Sequence, residues 1–150
     1  MDIRQFNRDA WDAIATSRHR WFTPASDDEI ESARGGDFSI RLTATRPIPR
    51  SWLGQIRGRR VLALASGGGH QGPILAAAGA DVTVVDFSNE QLALDRQLDS
   101  RHGLSLETIQ ADMADLSGLP ADSFDLVINP CSVNFVPDVR PVWQSVARVL

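Results

Sequence analysis

Val61-Leu62-Ala63-Leu64-Ala65-Ser66-Gly67-Gly68-Gly69-His70-Gln71-Gly72-Pro73 passes from an unbroken apolar run into a glycine-rich turn. An apolar run of this length, Val61 to Ala65, predicts a strand buried on both faces. Pro73 to Ala78 then predicts a helix, with proline in its first turn and Gly79 just past its end. Between the two, missing Cβ atoms let a ligand approach the backbone, and the N–H groups opening the helix can face it. Gly67, Gly69 and Gly72 satisfy G-x-G-x-x-G, although a loop that only makes a tight turn satisfies it as well.

Downstream the same alternation continues. Val82 to Val85 predicts a second strand closed by Asp86. Ser88 and Gln91 have capping-box spacing, opening a helix that Gly103 stops. Leu104 to Gln110 predicts a third strand, the turn-rich Ser117 to Ser123 leads to a fourth, Phe124 to Asn129, and Asp138 caps a last helix turning Val139, Val142, Trp143, Val146 and Val149 inward. The order β-α-β-α-β-β-α implies an α/β fold, Rossmann-like and doubly wound, with a mostly parallel sheet of about four strands and a ligand site beyond their C-terminal ends. The last helix stays apolar to Leu150 with no Gly, Asn or Pro to stop it, so the expectation is an incomplete domain, truncated at the C-terminus. Its open sheet edge is then available to a second copy as a homodimer.

Upstream, Arg4 to Arg18 places Phe6, Ala10, Trp11 and Ile14 on one helical face. Thr23 to Pro49 carries Pro24, Gly35-Gly36, Pro47 and Pro49, which predicts a short helix among irregular connections. Residues 1–58 are therefore expected to be a helical and irregular lead-in, and residues 59–150 the ligand-binding domain. The first helix with Arg18-His19-Arg20-Trp21-Phe22 forms either a lid or the glue that docks the lead-in on the sheet.

Composition narrows the function classes. With 150 residues, 43% hydrophobic and 23% charged, the chain suits one ordinary core. A net charge of −4 provides no broad cationic field for nucleic acid, leaving only a local Arg57, Arg59 and Arg60 patch. No apolar run reaches membrane-span length, and the polar first residues lack a secretory core, so a cytoplasmic protein is expected. All 15 basic residues counted as Lys+Arg are Arg. The missing Lys removes a P-loop, whose ammonium contacts phosphates. Leu64 and Gly68 flank Ser66 where a nucleophile elbow needs glycines. His19, His70, His102 and Cys131 lack metal-ligand spacing, so no metal site is expected.

Three strand ends carry the candidate site. Asp86 has the spacing of a carboxylate that accepts both ribose hydroxyls, or else serves only as a turn residue before Ser88. Asp112 can accept the exocyclic amine of adenine while Met113 packs on the ring, or else Asp112 caps the turn Ala114 to Gly118 and Met113 is core. Asn129-Pro130-Cys131-Ser132 ends the fourth strand, beside the substrate or as a plain proline exit turn.

Val61 to Gly69 resembles motif I of the class I S-adenosylmethionine-dependent methyltransferases, Val84-Val85-Asp86-Phe87-Ser88 their ribose-binding strand end, and Ala111-Asp112-Met113 their adenine-contact segment. Phe124 to Ile128 and Ala147 to Leu150 are similar to the methyltransferase-11-like group, and the likeness spans Arg59 to Leu150. Asp37 to Trp52, with Thr43 and Pro47 to Trp52, together with Leu64 to Pro73, further resembles a bacterial subgroup with a Leu-Ala-Ser-Gly-Gly-Gly loop. The resemblance implies S-adenosylmethionine as cofactor and methyl transfer to a small-molecule acceptor. It implies Ser66, Gly67, Gly68, Gly69 and Gln71 at the methionine end, Asp86 at the ribose, Phe87 beside the ring and Asp112 and Met113 at the adenine, with Ala65 also counted as cofactor-binding and Asn129 at the strand end where a substrate or the sulfonium methyl would lie. Two positions depart from the family, Ala63 where an acidic residue is common and Ala65 where glycine is. Ser66 and Gln71 are the expected replacement contacts. No general base is assigned, with His19 and His70 the candidates.

Two rival readings share these strand ends. One is a fragment of an NAD(P)-dependent oxidoreductase, although the Tyr and Lys pair of the short-chain enzymes is missing. The other is a non-catalytic domain that binds a nucleoside or only dimerises.

Overall fold

Strands β1 (Arg60–Leu64), β2 (Asp81–Asp86), β3 (Glu107–Gln110) and β4 (Leu126–Ile128) form one sheet in the order β3-β2-β1-β4, every pair parallel. They belong to a computed structural model that describes residues 2–17, 23–43 and 45–150. The Arg18 to Phe22 segment, assigned to a lid or to docking, lies outside the described residues. The chain steps from β1 outward through β2 to β3, then returns to β4 on the other side of β1. That reversal opens a crevice beyond the ends of β1 and β4, where doubly wound sheets hold ligands.

The continuous apolar run of β1 buries both faces, as its composition predicts. Val61 and Ala63, with Val82 and Val84, pack beneath α2 (Asp27–Arg34), α4 (Gln71–Ala77) and α5 (Asn89–His102) through Ile30, Ile74, Leu75, Leu92 and Leu98. Leu62, Leu64 and Val85 pack on the opposite face beneath Val142, Val146 and Val149 of α6 (Arg140–Val149). Truncating a side chain such as fully buried Leu62 to alanine costs about 2–5 kcal/mol in cores of this kind.

The lead-in wraps around these layers. A reciprocal capping box between Ser26 and Glu29 starts α2, a short α3 (Arg50–Leu53) follows, and α1 (Ile3–Thr16) lies along α5. No residue of α1 is buried. It is held instead by the Ser88 hydroxyl donating to Asp12, Gln91 Nε2 donating to the Trp11 carbonyl at 3.1 Å, Asn7 Nδ2 donating to the Phe135 carbonyl at 2.9 Å, and an edge-on Trp11–Phe135 ring contact at 5.2 Å.

Several local expectations are corrected. Val139 and Trp143 point to solvent at 39% and 47% exposure. Only Val142, Val146 and Val149 keep the i, i+4, i+7 stripe, and Trp143 lies about 100° around the helix from Val142. Phe6 is likewise exposed. The capping box at Ser88 is half formed, because its hydroxyl accepts the Gln91 amide but the Gln91 side chain turns away to Trp11. Leu104 and Leu106 are buried without being strand, since Ser105 at φ 61 bends the chain before β3. The arginine patch serves the fold. Arg60 pairs with Asp125 at 2.6 Å and its hydrogen bonds hold that carboxyl down at about 2, while Arg59 donates to the carbonyls of Leu53 and Asp125. No helix among the described residues is long and apolar enough to cross a membrane.

Candidate functional site

The loop leaving β1 is shaped by what stands behind it. A Cβ on Gly67 would lie 2.8 Å from the Cβ of Gln91, and one on Gly72 would lie 2.4 Å from Val84 Cγ2. Glycine at these two positions is thus a packing requirement set by α5 and β2. Ala65 takes a left-handed φ of 47 with its amide still donating to Val85 at 2.7 Å, the conformation for which glycine is the usual residue.

The amide of Gly67 donates to Asp86 Oδ2 at 3.0 Å, and the amide of Ser88 donates to Oδ1 at 2.9 Å. Burial raises the Asp86 carboxyl above the ordinary range, while the amides of Ser88, Gly67 and Phe87 pull it back. One turn along α5 from Gln91, Asp95 Oδ2 accepts the Gly68 amide at 2.9 Å. Asp112 Oδ1 accepts the Ala114 amide at 2.8 Å, so the turn-capping role expected of it is realised, and Oδ2 faces Arg4 Nε at 3.2 Å. The Arg8 guanidinium stands 6.0 Å above the Phe87 ring.

These strand ends border one cavity of about 360 Å³. Ala65, Ser66, Gly67, Gly68, Gln71, Asp86, Phe87, Asp112 and Met113 all line it; Gly69 and Asn129 do not. Gly69 seats the loop on α5, where a Cβ would lie 3.2 Å from Leu94, and its carbonyl accepts the Ala25 amide at 2.7 Å. Asn129 stands behind Met113, its Nδ2 3.7 Å from the Met113 sulfur.

Other lining residues were not read from the sequence as site residues. Arg4, Asn7 and Trp11 come from α1, Arg41, Leu42 and Thr43 from the lead-in, and Gln91 from α5. The available signal for Gln91 was its pairing with Asp95, polar residues one turn apart on a helix face that also buries Leu92 and Leu98. His70 also lines the cavity, 8% exposed with Nε2 3.6 Å from Glu29 Oε1. Burial first, then Arg41, push its imidazole down to about 4 against the pull of Glu29, so it is neutral at neutral pH.

Ser66 Oγ, Gln71 Oε1 and Gln91 Oε1 are buried without a hydrogen-bond partner. An orphaned polar atom of this kind costs about 1–3 kcal/mol, which a ligand presenting donors recovers. The arrangement suits a molecule with hydroxyl or amine donors lying across the ends of β1, β2 and β3.

Residues 62–150 match the family model described as a methyltransferase domain. The uncharacterized methyltransferase YbaJ of Bacillus subtilis (strain 168) is 44% identical over 144 residues, covering 96% of this chain and 56% of that protein. The ubiquinone biosynthesis O-methyltransferase of Bordetella avium (strain 197N) is 27% identical over 154 residues, covering 100% of this chain and 58% of that protein. The chain thus spans little more than half the length of these curated relatives. Among solved structures, an S-adenosylmethionine dependent methyltransferase from Mesorhizobium loti superposes with a TM-score of 0.60 at 29% identity, over 67% of this chain and 46% of that one. Phosphoethanolamine N-methyltransferase 1 of Haemonchus contortus, in complex with phosphoethanolamine and S-adenosylhomocysteine, has a TM-score of 0.66 at 17% identity over 97% of this chain and 29% of that one, a likeness of fold.

Proposed function

Because the chain belongs to the methyltransferase-domain family, we propose that its cavity binds S-adenosylmethionine and that the protein transfers the methyl group to a small-molecule acceptor. The observation that carries this reading is the convergence of the glycine loop, Asp86 and Asp112 on one cavity whose loop-side oxygens lack partners. The cofactor's ammonium and ribose hydroxyls are donors, which is what Ser66, Gln71 and Gln91 lack, while the Asp86 carboxylate, already accepting the Gly67 and Ser88 amides, keeps further lone pairs for the ribose. Asp112 with Met113 would take the adenine, and Phe87 would stand beside the ring. The Arg4 side chain that faces Asp112 is 67% exposed, so moving it aside costs little.

When bound, the sulfonium supplies an electrophilic methyl carbon. The residues of this chain then align, orient and exclude water, and no covalent enzyme intermediate is required. The acceptor would lie at the part of the cavity lined by Arg41, Leu42, Thr43, Pro130, Cys131 and Phe135, where the Cys131 thiol donates to the Leu42 carbonyl at 2.9 Å. The relative named for ubiquinone biosynthesis supports a small acceptor.

Calorimetric titration of the chain with S-adenosylmethionine, S-adenosylhomocysteine and NADH, repeated on Asp86→Ala, tests the reading. Binding of the first two, lost in the variant, is the expected result. Preference for NADH would overturn it in favour of an oxidoreductase fragment.

A further inference from the structure

Asp95 has no role in the binding scheme above, yet it is 0% exposed and sits directly behind the cavity wall. Its Oδ2 accepts the Gly68 amide, and its Oδ1 has no hydrogen-bond partner. The same Gly68 amide reaches the Gln91 carbonyl at 3.1 Å, and a Cβ on Gly68 would lie 2.9 Å from Gln91 Oε1. Two residues one turn apart on α5 therefore grip the middle of the glycine loop from behind. Gly68 lines the cavity while Asp95 does not.

The strand beneath the loop contributes no such group. Ala63 of β1 is fully buried in the same apolar cluster as Leu92 and Leu98 of α5, so the only carboxylate described as bonding the Gly68 amide comes from the helix. A carboxyl kept in an apolar interior with half its acceptors unused is costly. It contributes here only by fixing whatever it touches, and it touches the loop.

We propose that Asp95 is a positioning residue, setting the glycine loop from α5 for the methionine end of the cofactor in place of a carboxylate on β1 at Ala63. The assignment rests on the S-adenosylmethionine reading. Burial carries the carboxyl up to about 7, against the amides of Gly69 and Gly68 and aided by the charge of Asp86 on β2. The ionised form is the stronger acceptor for the Gly68 amide. Ligands that need the loop set should therefore bind more tightly as pH rises through neutrality.

The test compares two probes by calorimetry: S-adenosylhomocysteine, which has the amino-acid end, and adenosine, which lacks it. Asp95→Ala is expected to weaken S-adenosylhomocysteine about tenfold and leave adenosine unchanged. Adding Ala63→Asp to that variant is expected to restore part of the loss. Asp95→Asn, which keeps an acceptor and the volume, is expected to lose about two- to threefold and to lose the tightening seen in the wild type between about pH 6 and 8; it carries the test if Asp95→Ala does not fold. Equal losses for both probes, or no loss for S-adenosylhomocysteine in either variant, would overturn the assignment alone. A wild-type chain that binds neither probe overturns the cofactor reading and this assignment together.

Discussion

Gly67 and Asp86 are joined by a hydrogen bond of 3.0 Å, so the loop after β1 and the carboxylate closing β2 are one unit before any ligand arrives. Asp86→Ala leaves the amides of both Gly67 and Ser88 without a side-chain partner. The expected outcome is a loss of about 1–3 kcal/mol in urea unfolding together with a loss of S-adenosylhomocysteine affinity. Unchanged stability would mean that the loop is not held from β2.

The carboxyl of Asp95 stands at about 7 against an ordinary 3.8, a raised acid. The folded state then binds more protons than the unfolded one between those values, so stability contributed by this group falls as pH rises from about 4 to 7 and levels off above. Asp95→Asn is expected to be more stable than the wild type at pH 8, by on the order of 1–3 kcal/mol, and close to it at pH 4. Denaturant midpoints at the two values check this.

His70 has the opposite slope. Its imidazole is depressed to about 4 from 6.5, so the unfolded state takes up the proton first as pH falls. Stability is fully present above about 6.5 and is lost on the way down to 4, by on the order of 2–3 kcal/mol. His70→Gln is expected to flatten that part of the acid limb, as followed by thermal melts at stepped pH.

Ala65 keeps a left-handed backbone at φ 47. Relieving this strain, about 1–2 kcal/mol, outweighs the added chain entropy of glycine, about 0.4–1 kcal/mol. Ala65→Gly is expected to raise stability by about 0.5–1 kcal/mol in urea unfolding without loss of binding.

The sheet was legible because β1 carries an unbroken apolar run closed by a glycine loop and β2 a valine-rich run closed by Asp86, and these local signals agree with the global arrangement. The helix facing was less so. Nothing in the local pattern says that Trp143 belongs outside the stripe of Val142 and Val146, since that depends on how the helix is rotated against the sheet. Of the cavity, the residues at strand ends were legible from their position in the alternation. Arg4, Trp11 and Arg41 were not, because they reach the cavity through the docking of the lead-in, a long-range event with no local signature. Gln91 and Asp95 were hidden by a plausible capping role and by their place in a helix.

The unburied face of α1 has a consequence in time. A helix held at Asp12, Trp11 and Asn7 by a few contacts, with no buried side chain, opens without disturbing the sheet. Its amides are expected to exchange with deuterium far sooner than those of β1, and to slow when S-adenosylhomocysteine is present, as mass spectrometry of exchanged peptides would show. The fastest and slowest clocks of the molecule would then stand on opposite walls of one cavity.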